Sequence, residues 1–204
     1  MSRFIISISI VASLCIGARV YGETQEFSAD VVTTSVGAPT MSGKMYVSKD
    51  KSRMEMQQGV VIARMDKKVA WILMPEQKKY MEQPIDPRNA VGTNEKMPGE
   101  IERTLVGKET IGGKLTDKYR IVYPVMGKNE TVFQWIEPGS KIPLKTAAED
   151  NSWSTEFKNL QVGAQAESLF EVPAGYEKFS MMAPGDMTNM IKGQLPEGSL
   201  PQEE

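Results

Sequence analysis

Three short stretches of the sequence bring together side chains that could do chemistry. Glu149 and Asp150 form a carboxylate pair, the arrangement that general acid and base catalysis by carboxyl groups requires. The run GKET at residues 107–110 superficially resembles part of a phosphate-binding loop, and NET at residues 129–131 matches the acceptor pattern for N-glycosylation. Whether any of them is a site depends on the elements around it.

None of these stretches supports a catalytic site. Asn151 follows the carboxylate pair in an apparent hairpin turn, so we expect both carboxylates to be solvated. The GKET run lacks the upstream glycine, has Glu109 where Ser or Thr is needed, and opens no helix, while the NET run has meaning only in a eukaryotic source. The chain has 204 residues and no histidine, which removes the commonest general base, the Ser-His and Cys-His pairs and most catalytic zinc sites. We therefore expect that the protein is not an enzyme and that it binds neither a metal nor a cofactor.

The residues that remain are suited to binding apolar groups. The sequence contains 14 methionines, whose flexible and polarisable side chains adapt to varied apolar shapes. Met54 and Met56 alternate along one apparent strand, and Trp71 and Trp135 lie on two others. The same residues would also suit an ordinary sheet core. The sequence leaves both alternatives open.

The N-terminus has the pattern of a secretory signal. Arg3 precedes the apolar run of residues 4–17, and small residues follow it, which predicts cleavage after Gly22, with Ala18 as the second choice. The run is shorter than the ~20 apolar residues that span a bilayer. Leu14 precedes Cys15 where a lipoprotein signal needs a small residue, so a lipid anchor is not expected. We predict release into the periplasm.

Composition narrows the partners of the mature chain. Cleavage after Gly22 removes the single cysteine, so neither a disulfide nor a thiolate site is expected. It also removes two arginines and no acidic residue, which leaves 22 basic residues against 26 acidic ones, a net charge of −4. This mild charge argues against nucleic acid as the main partner. We expect one domain over residues 23–183, followed by a short helix and a disordered tail over residues 184–204.

The body of the chain reads as antiparallel β-structure, because short alternating apolar runs are separated by turn residues. Gly112-Gly113 predicts a tight hairpin and Pro138-Gly139 a type II turn. The Pro-rich stretch of residues 84–99 predicts a long loop or lid, and residues 170–176 predict a final apolar segment packed on the sheet. About eleven strands are expected, at residues 27–35, 41–48, 52–57, 60–66, 69–74, 79–83, 101–110, 114–123, 130–137, 144–148 and 153–162.

Residues 65–80 carry a family resemblance. An acidic turn leads to a strand with Trp71, then to a Pro turn and another strand, and residues 52–56 precede them as a strand carrying Arg53. This order resembles the outer-membrane lipoprotein carrier superfamily (LolA/LolB-like), and the resemblance extends over residues 27–176. It implies an all-β, open antiparallel barrel whose concave face holds acyl chains under a lid. It also implies that Arg53 holds the lid shut and that Trp71 lies near the cavity wall.

The function that follows is binding without catalysis. The favoured hypothesis is a monomeric periplasmic carrier or sensor for lipid or lipoprotein acyl chains, with Met54, Met56, Trp71 and Trp135 lining the cavity and Arg53 contacting the lid. The alternative is a cell-envelope interaction module with a filled core, which offers a sheet edge or the loop of residues 84–99 to a protein partner.

The signal peptide prediction can be checked by intact mass and N-terminal sequencing of the exported protein. The mature chain should begin at Glu23 and carry no acyl modification, because the signal has peptidase-site residues but no lipoprotein-type cysteine. Retention of residues 1–22, or a diacylglycerol on Cys15, would contradict it.

Overall fold

The computed structural model describes residues 25–85, 96–97, 99–125 and 127–179. Within these residues the chain forms one twelve-stranded sheet and two single-turn 3-10 helices, with no α-helix. The 3-10 turns are η1 (Pro75–Gln77) and η2 (Glu167–Phe170). The strands are β1 (Phe27–Ser35), β2 (Ala38–Ser48), β3 (Lys51–Met56), β4 (Gly59–Arg64), β5 (Val69–Met74), β6 (Lys79–Pro84), β7 (Glu102–Ile111), β8 (Lys114–Val125), β9 (Lys128–Ile136), β10 (Pro143–Ala148), β11 (Trp153–Val162) and β12 (Glu177–Lys178).

The predicted fold class is confirmed. Each of the eleven expected strands is present, and β1, β5 and β11 have the expected bounds. Only β12 was missed, because two residues are too few to show an alternating pattern. The predicted signal peptide, the short helix and the tail lie outside the described residues, so they remain predictions.

The sheet is open. Its strand order is β12-β6-β5-β4-β3-β2-β1-β11-β10-β9-β8-β7, so β12 and β7 are its edges and do not pair with each other. Consecutive strands pair as antiparallel neighbours from β1 to β6 and from β7 to β11, and the β1–β11 pair joins the two series. Only β12 is parallel to its neighbour, β6. This arrangement follows from the short hairpin loops between successive strands.

The turns tested two sequence predictions. Gly112 and Gly113 have φ angles of +56° and +80°, as the predicted tight hairpin requires. The predicted type II turn at Pro138-Gly139 is wrong, because the residue with positive φ is Lys141, at 60°. The backbone N–H of Lys141 donates to the carbonyl of Glu137 at 2.9 Å, which closes a wider turn than the two-residue pattern indicated.

The register of β1 to β6 separates two faces. Residues paired across antiparallel strands share a face, and neighbours along a strand lie on opposite faces. We call one side the methionine face and the other the strap face. On the methionine face one row crosses all six strands: Ala29, Met45, Met54, Val61, Ile72 and Met81. On the strap face the adjacent row is Ser28, Tyr46, Arg53, Ile62, Trp71 and Glu82.

Both faces carry buried apolar side chains. On the methionine face Phe27, Met45 and Met54 are at most 4% exposed and belong to one hydrophobic cluster. On the strap face a second cluster is built from Val60, Ile62, Trp71, Leu73 and Phe170. Phe170 comes from the segment of residues 163–179, which we call the strap. The strap runs from the end of β11 through η2 to β12, and its packing confirms the apolar segment predicted at residues 170–176.

Gly43 provides a test of the close pairing of β2 and β3. A Cβ atom at this position would lie 2.3 Å from the carbonyl oxygen of Glu55, and backbone cannot move aside cheaply. Gly43→Ala should therefore lower the free energy of unfolding by about 1–3 kcal/mol, measured by urea denaturation. Gly139→Ala is the matched control, because a Cβ there meets nothing within 4 Å. Equal stability of the two variants would contradict this account.

Candidate functional site

A small apolar cleft opens in the methionine face between β1, β2 and β3. Its volume is about 20 Å³, which is room for about one water molecule. No lining residue carries a carboxyl, amino or guanidinium group, and five of the seven lining residues are apolar or glycine. It is lined by Val31, Thr33, Met41, Ser42, Gly43, Met54 and Met56.

The cleft contains two of the five residues expected to form the binding site. Met54 is 4% exposed, while Met56 and Met41 are half-buried, so part of the lining reaches the surface. The sequence pointed to Met54 and Met56 but not to Met41, which pairs across the sheet with Thr33. The available sequence signal for Met41 was its spacing from Met45, since residues four positions apart in a strand lie on the same face.

Arg53 and Trp71 lie on the strap face, opposite Met54. Arg53 donates from Nη1 to the carbonyl oxygen of Leu169 at 3.0 Å and from Nε to Glu55 at 2.7 Å. Arg53 therefore contacts the strap, while the lid contact that the family resemblance implied stays a prediction, because residues 86–95 lie outside the described part. Trp71 packs beside Phe170, and its indole N–H donates to Glu82 at 3.0 Å.

Trp135 occupies a third place, in β9. Its indole N–H donates to Glu109 at 2.9 Å, and the Nζ atoms of Lys118 and Lys145 lie 4.7 and 5.1 Å from its ring centroid. The hydrogen bond from Trp135, together with Lys118, lowers the pKa of Glu109. Four strands separate β9 from β3, although Trp135 and Met54 belong to the same hydrophobic cluster. The five expected residues therefore do not form one compact site.

The predicted lid of residues 84–99 is described only at its ends. Met97 is 6% exposed and packs with Ile121 and Val132. Its backbone N–H donates to Glu100 at 3.2 Å, and Glu100 also accepts from Arg103 at 2.7 and 2.8 Å. The end of the segment is thus fixed on the β8–β9 half of the sheet, while residues 86–95 lie outside the described part.

Arg64 is the polar centre of the strap face. It is 5% exposed and donates to both carboxylate oxygens of Asp66, at 2.8 and 2.6 Å. Its Nη1 also donates to the carbonyl oxygen of Phe170 at 3.1 Å and pairs with Glu171. Sequence reasoning missed Arg64, since its strap partners lie more than 100 positions away in the chain.

The charges at Arg64 stabilise one another. The hydrogen bonds from Arg64 lower the pKa of Asp66, and Asp66 in turn raises the pKa of Arg64. Burial by itself would raise the pKa of Glu171, but Arg64 and Lys67 outweigh it and the pKa is lowered. The cluster is therefore fully ionised at neutral pH, and no proton transfer role follows from it.

Fold and cleft together define an all-β protein with an open antiparallel sheet and a small apolar cleft. Residues 30–139, just over half of the sequence, match the family model described as a domain of unknown function (DUF4412), and the chain belongs to that family. The comparison with curated proteins found no significant match.

Solved structures match this chain at low sequence identity. The MucA/MucB complex of Pseudomonas aeruginosa matches with 14% identity over 74% of this chain and 57% of that chain, at a TM-score of 0.46. This chain thus spans just over half the length of that match. The lipoprotein LppX of Mycobacterium tuberculosis matches with 15% identity over 70% of this chain and 86% of that one, at 0.42.

A LolA superfamily protein from Nitrosomonas europaea also matches, with 7% identity over 75% of this chain and 92% of that chain, at a TM-score of 0.35. With TM-scores below 0.5, these likenesses carry no inference about ligand or partner.

The described residues contain neither a membrane-spanning helix nor a metal-binding cluster. No helix among them is long and apolar enough to cross a membrane. No group of three or more His, Cys, Asp or Glu side chains in that part of the chain is placed to hold a metal ion.

The ionised cluster predicts acid-sensitive docking of the strap. The pKa values of Asp66 and Glu171 are lower in the folded state, so their stabilisation is present at neutral pH. This stabilisation should be lost as the pH falls below about 4, from the ordinary pKa values of the two carboxyl groups toward their lower pKa values in the folded state. Urea denaturation at pH 7 and at pH 3 measures the free energy of unfolding. Between these pH values it should fall less for Asp66→Asn than for the wild type.

Ser168→Ala is the control for this measurement, because it changes an exposed strap residue without removing a carboxylate. It should keep the wild-type dependence on pH. An Asp66→Asn variant with the same dependence as the wild type would show that the Arg64 cluster does not contribute.

Proposed function

We propose that this protein is a non-enzymatic binding protein of the cell envelope, which takes an apolar chain of a lipid or lipoprotein into the methionine-lined cleft. The observation that supports the proposal is the cleft itself, where Met41, Met54 and Met56 converge with no titratable group among the lining residues. Methionine is the side chain best able to change shape around an apolar ligand.

The cleft must open to bind. At about 20 Å³ it is far smaller than the ~300 Å³ or more of a typical ligand pocket. Met41 and Met56 are half-buried, and Ser42 beside them is exposed, so these side chains can move outward without unfolding the strands. Each methylene that enters contributes about 0.8 kcal/mol, so even part of an acyl chain supplies useful affinity.

Location and partners belong to the same proposal. The predicted signal peptide places the protein in the periplasm, where lipids and lipoproteins are available ligands. Arg53 and Trp71 contact the strap on the opposite face. We therefore assign ligand contact to Met54 and Met56, and we add Met41. Trp135 remains a candidate contact in β9. We expect a monomer that acts without a cofactor.

A second candidate is an interaction module with a filled core. Its support is the small cleft volume together with the edge strand β7, where Leu105 and Val106 are 54% and 48% exposed. Unpaired edge strands accept partner strands. The β7 edge carries a bulge between Leu105 and Gly107, a feature that restrains edge pairing.

Native mass spectrometry with lipid extraction, on protein purified from its own periplasm, tests the proposal. The wild type should carry lipid or bind an apolar fluorescent probe saturably, because the methionines can part around the chain. Met56→Glu should lower the apparent affinity about tenfold or more, since it places a charge beside the cleft.

Met81→Glu is the matched control, because Met81 is a half-buried methionine three strands away on the same face. It should bind as the wild type does. Protein that is lipid-free and has no saturable probe site would contradict the lipid proposal and favour the interaction module.

A further inference from the structure

The strap face contains a groove that a segment of the strap fills. Strands β4 and β5 present Ile62, Trp71 and Leu73, and the side chain of Phe170 lies among them with 0% exposure. The occupant is the chain's own segment of residues 167–171. The groove is therefore an aromatic side-chain pocket that is filled from within the same molecule.

Two arginines in the groove bind the backbone of the occupant. Arg53 donates to the carbonyl oxygen of Leu169 at 3.0 Å, and Arg64 donates to that of Phe170 at 3.1 Å. These are successive peptide groups on either side of the buried ring. Bonds to carbonyl oxygens do not depend on side-chain identity, so another peptide with an aromatic residue at this position can accept them.

Charges at both ends select an acidic segment. Lys51 pairs with Glu167 before the aromatic residue, and Arg64 pairs with Glu171 after it. The Nζ atom of Lys67 also lies 3.5 Å from Glu171. The groove thus places three cationic side chains against two carboxylates that flank one buried ring, which defines the chemistry of the ligand.

The occupant is held at few points. Glu167, Ser168 and Glu171 are exposed, and Phe170 is the one residue of the strap that is buried. The 3-10 turn η2 has no side-chain cap, and β12 pairs with β6 through two residues. Release of residues 167–171 therefore exposes Phe170 and Leu169 and breaks two carbonyl bonds and the ion pairs of Glu167 and Glu171, while the hairpins of the sheet keep their strand pairing.

We propose that this groove is a peptide-recognition site, which the chain's own strap occupies and in which an acidic–aromatic–acidic segment of a partner protein takes its place. The strap acts as a competitor in cis, so the apparent affinity for the partner is reduced by the fraction of molecules in which the groove is free. The site lies on the face opposite the methionine cleft and does not rest on lipid binding.

A fluorescein-labelled peptide with the sequence of residues 165–174 (QAESLFEVPA) tests this proposal by fluorescence anisotropy. The host is the full chain with Glu167→Gln and Glu171→Gln, which loosens its own strap and retains Phe170. This host should bind the peptide about tenfold or more tightly than the wild type, because competition in cis is weakened. Binding should be lost when the peptide carries Phe170→Ala, or when the host also carries Arg53→Gln.

The matched control is a full chain with Glu76→Gln and Glu130→Gln, which loses the same charge at exposed positions outside both the groove and the strap. It should bind no better than the wild type. A second host, Phe170→Ala, vacates the pocket directly, and circular dichroism verifies its fold.

Absence of saturable binding to the Glu167→Gln, Glu171→Gln host, or equal binding of the peptide without phenylalanine, overturns the proposal and makes the strap a fixed part of the fold. Lipid binding is measured on the same proteins by native mass spectrometry. A negative peptide result is therefore distinguishable from failure of the cleft.

Discussion

Strict alternation of side chains across β1 to β6 is the constraint on which the rest of this structure depends. A residue and its cross-strand partner must share a face, so Met54 places Met45 and Val61 on its own side and Arg53 on the other. Since both faces are apolar along these strands, both must be covered. The sheet therefore has two hydrophobic surfaces with separate structural roles, and a change of one residue in register would exchange them.

Coverage of the strap face depends on a buried cation. Arg64 is 5% exposed, and a guanidinium so placed is tolerable only when acceptors surround it. Asp66 supplies two of them from the same strand end, and the strap supplies the Phe170 carbonyl and the Glu171 carboxylate. Docking of the strap and burial of Arg64 therefore stabilise each other. The pair with Glu171 also gives the groove its preference for an acidic residue, and the pocket of Ile62, Trp71 and Leu73 gives it the preference for an aromatic residue just before.

The two proposals give the two faces different ligands. The methionine cleft offers deformable apolar side chains and no charge, which fits an acyl chain. The strap groove offers directed donors and cations, which fits a peptide. A protein that binds both would connect an apolar ligand on one face with a protein partner on the other, through strand β3, which contributes to each. Such a link remains a consequence of the two proposals, and each is tested separately above.

The sequence by itself determined the all-β class, the eleven longer strands and the absence of histidine chemistry, because hairpins and alternating patterns are local properties read within a few residues. It also identified Met54, Met56 and Arg53 as residues of interest. Only the tertiary structure decided that Arg53 faces away from the methionines, that its covering segment is the strap, and that Arg64 and Phe170 meet across 106 positions of sequence. Contacts at that separation depend on how the strands order themselves in the sheet and on how the chain returns over it, and no local pattern encodes either.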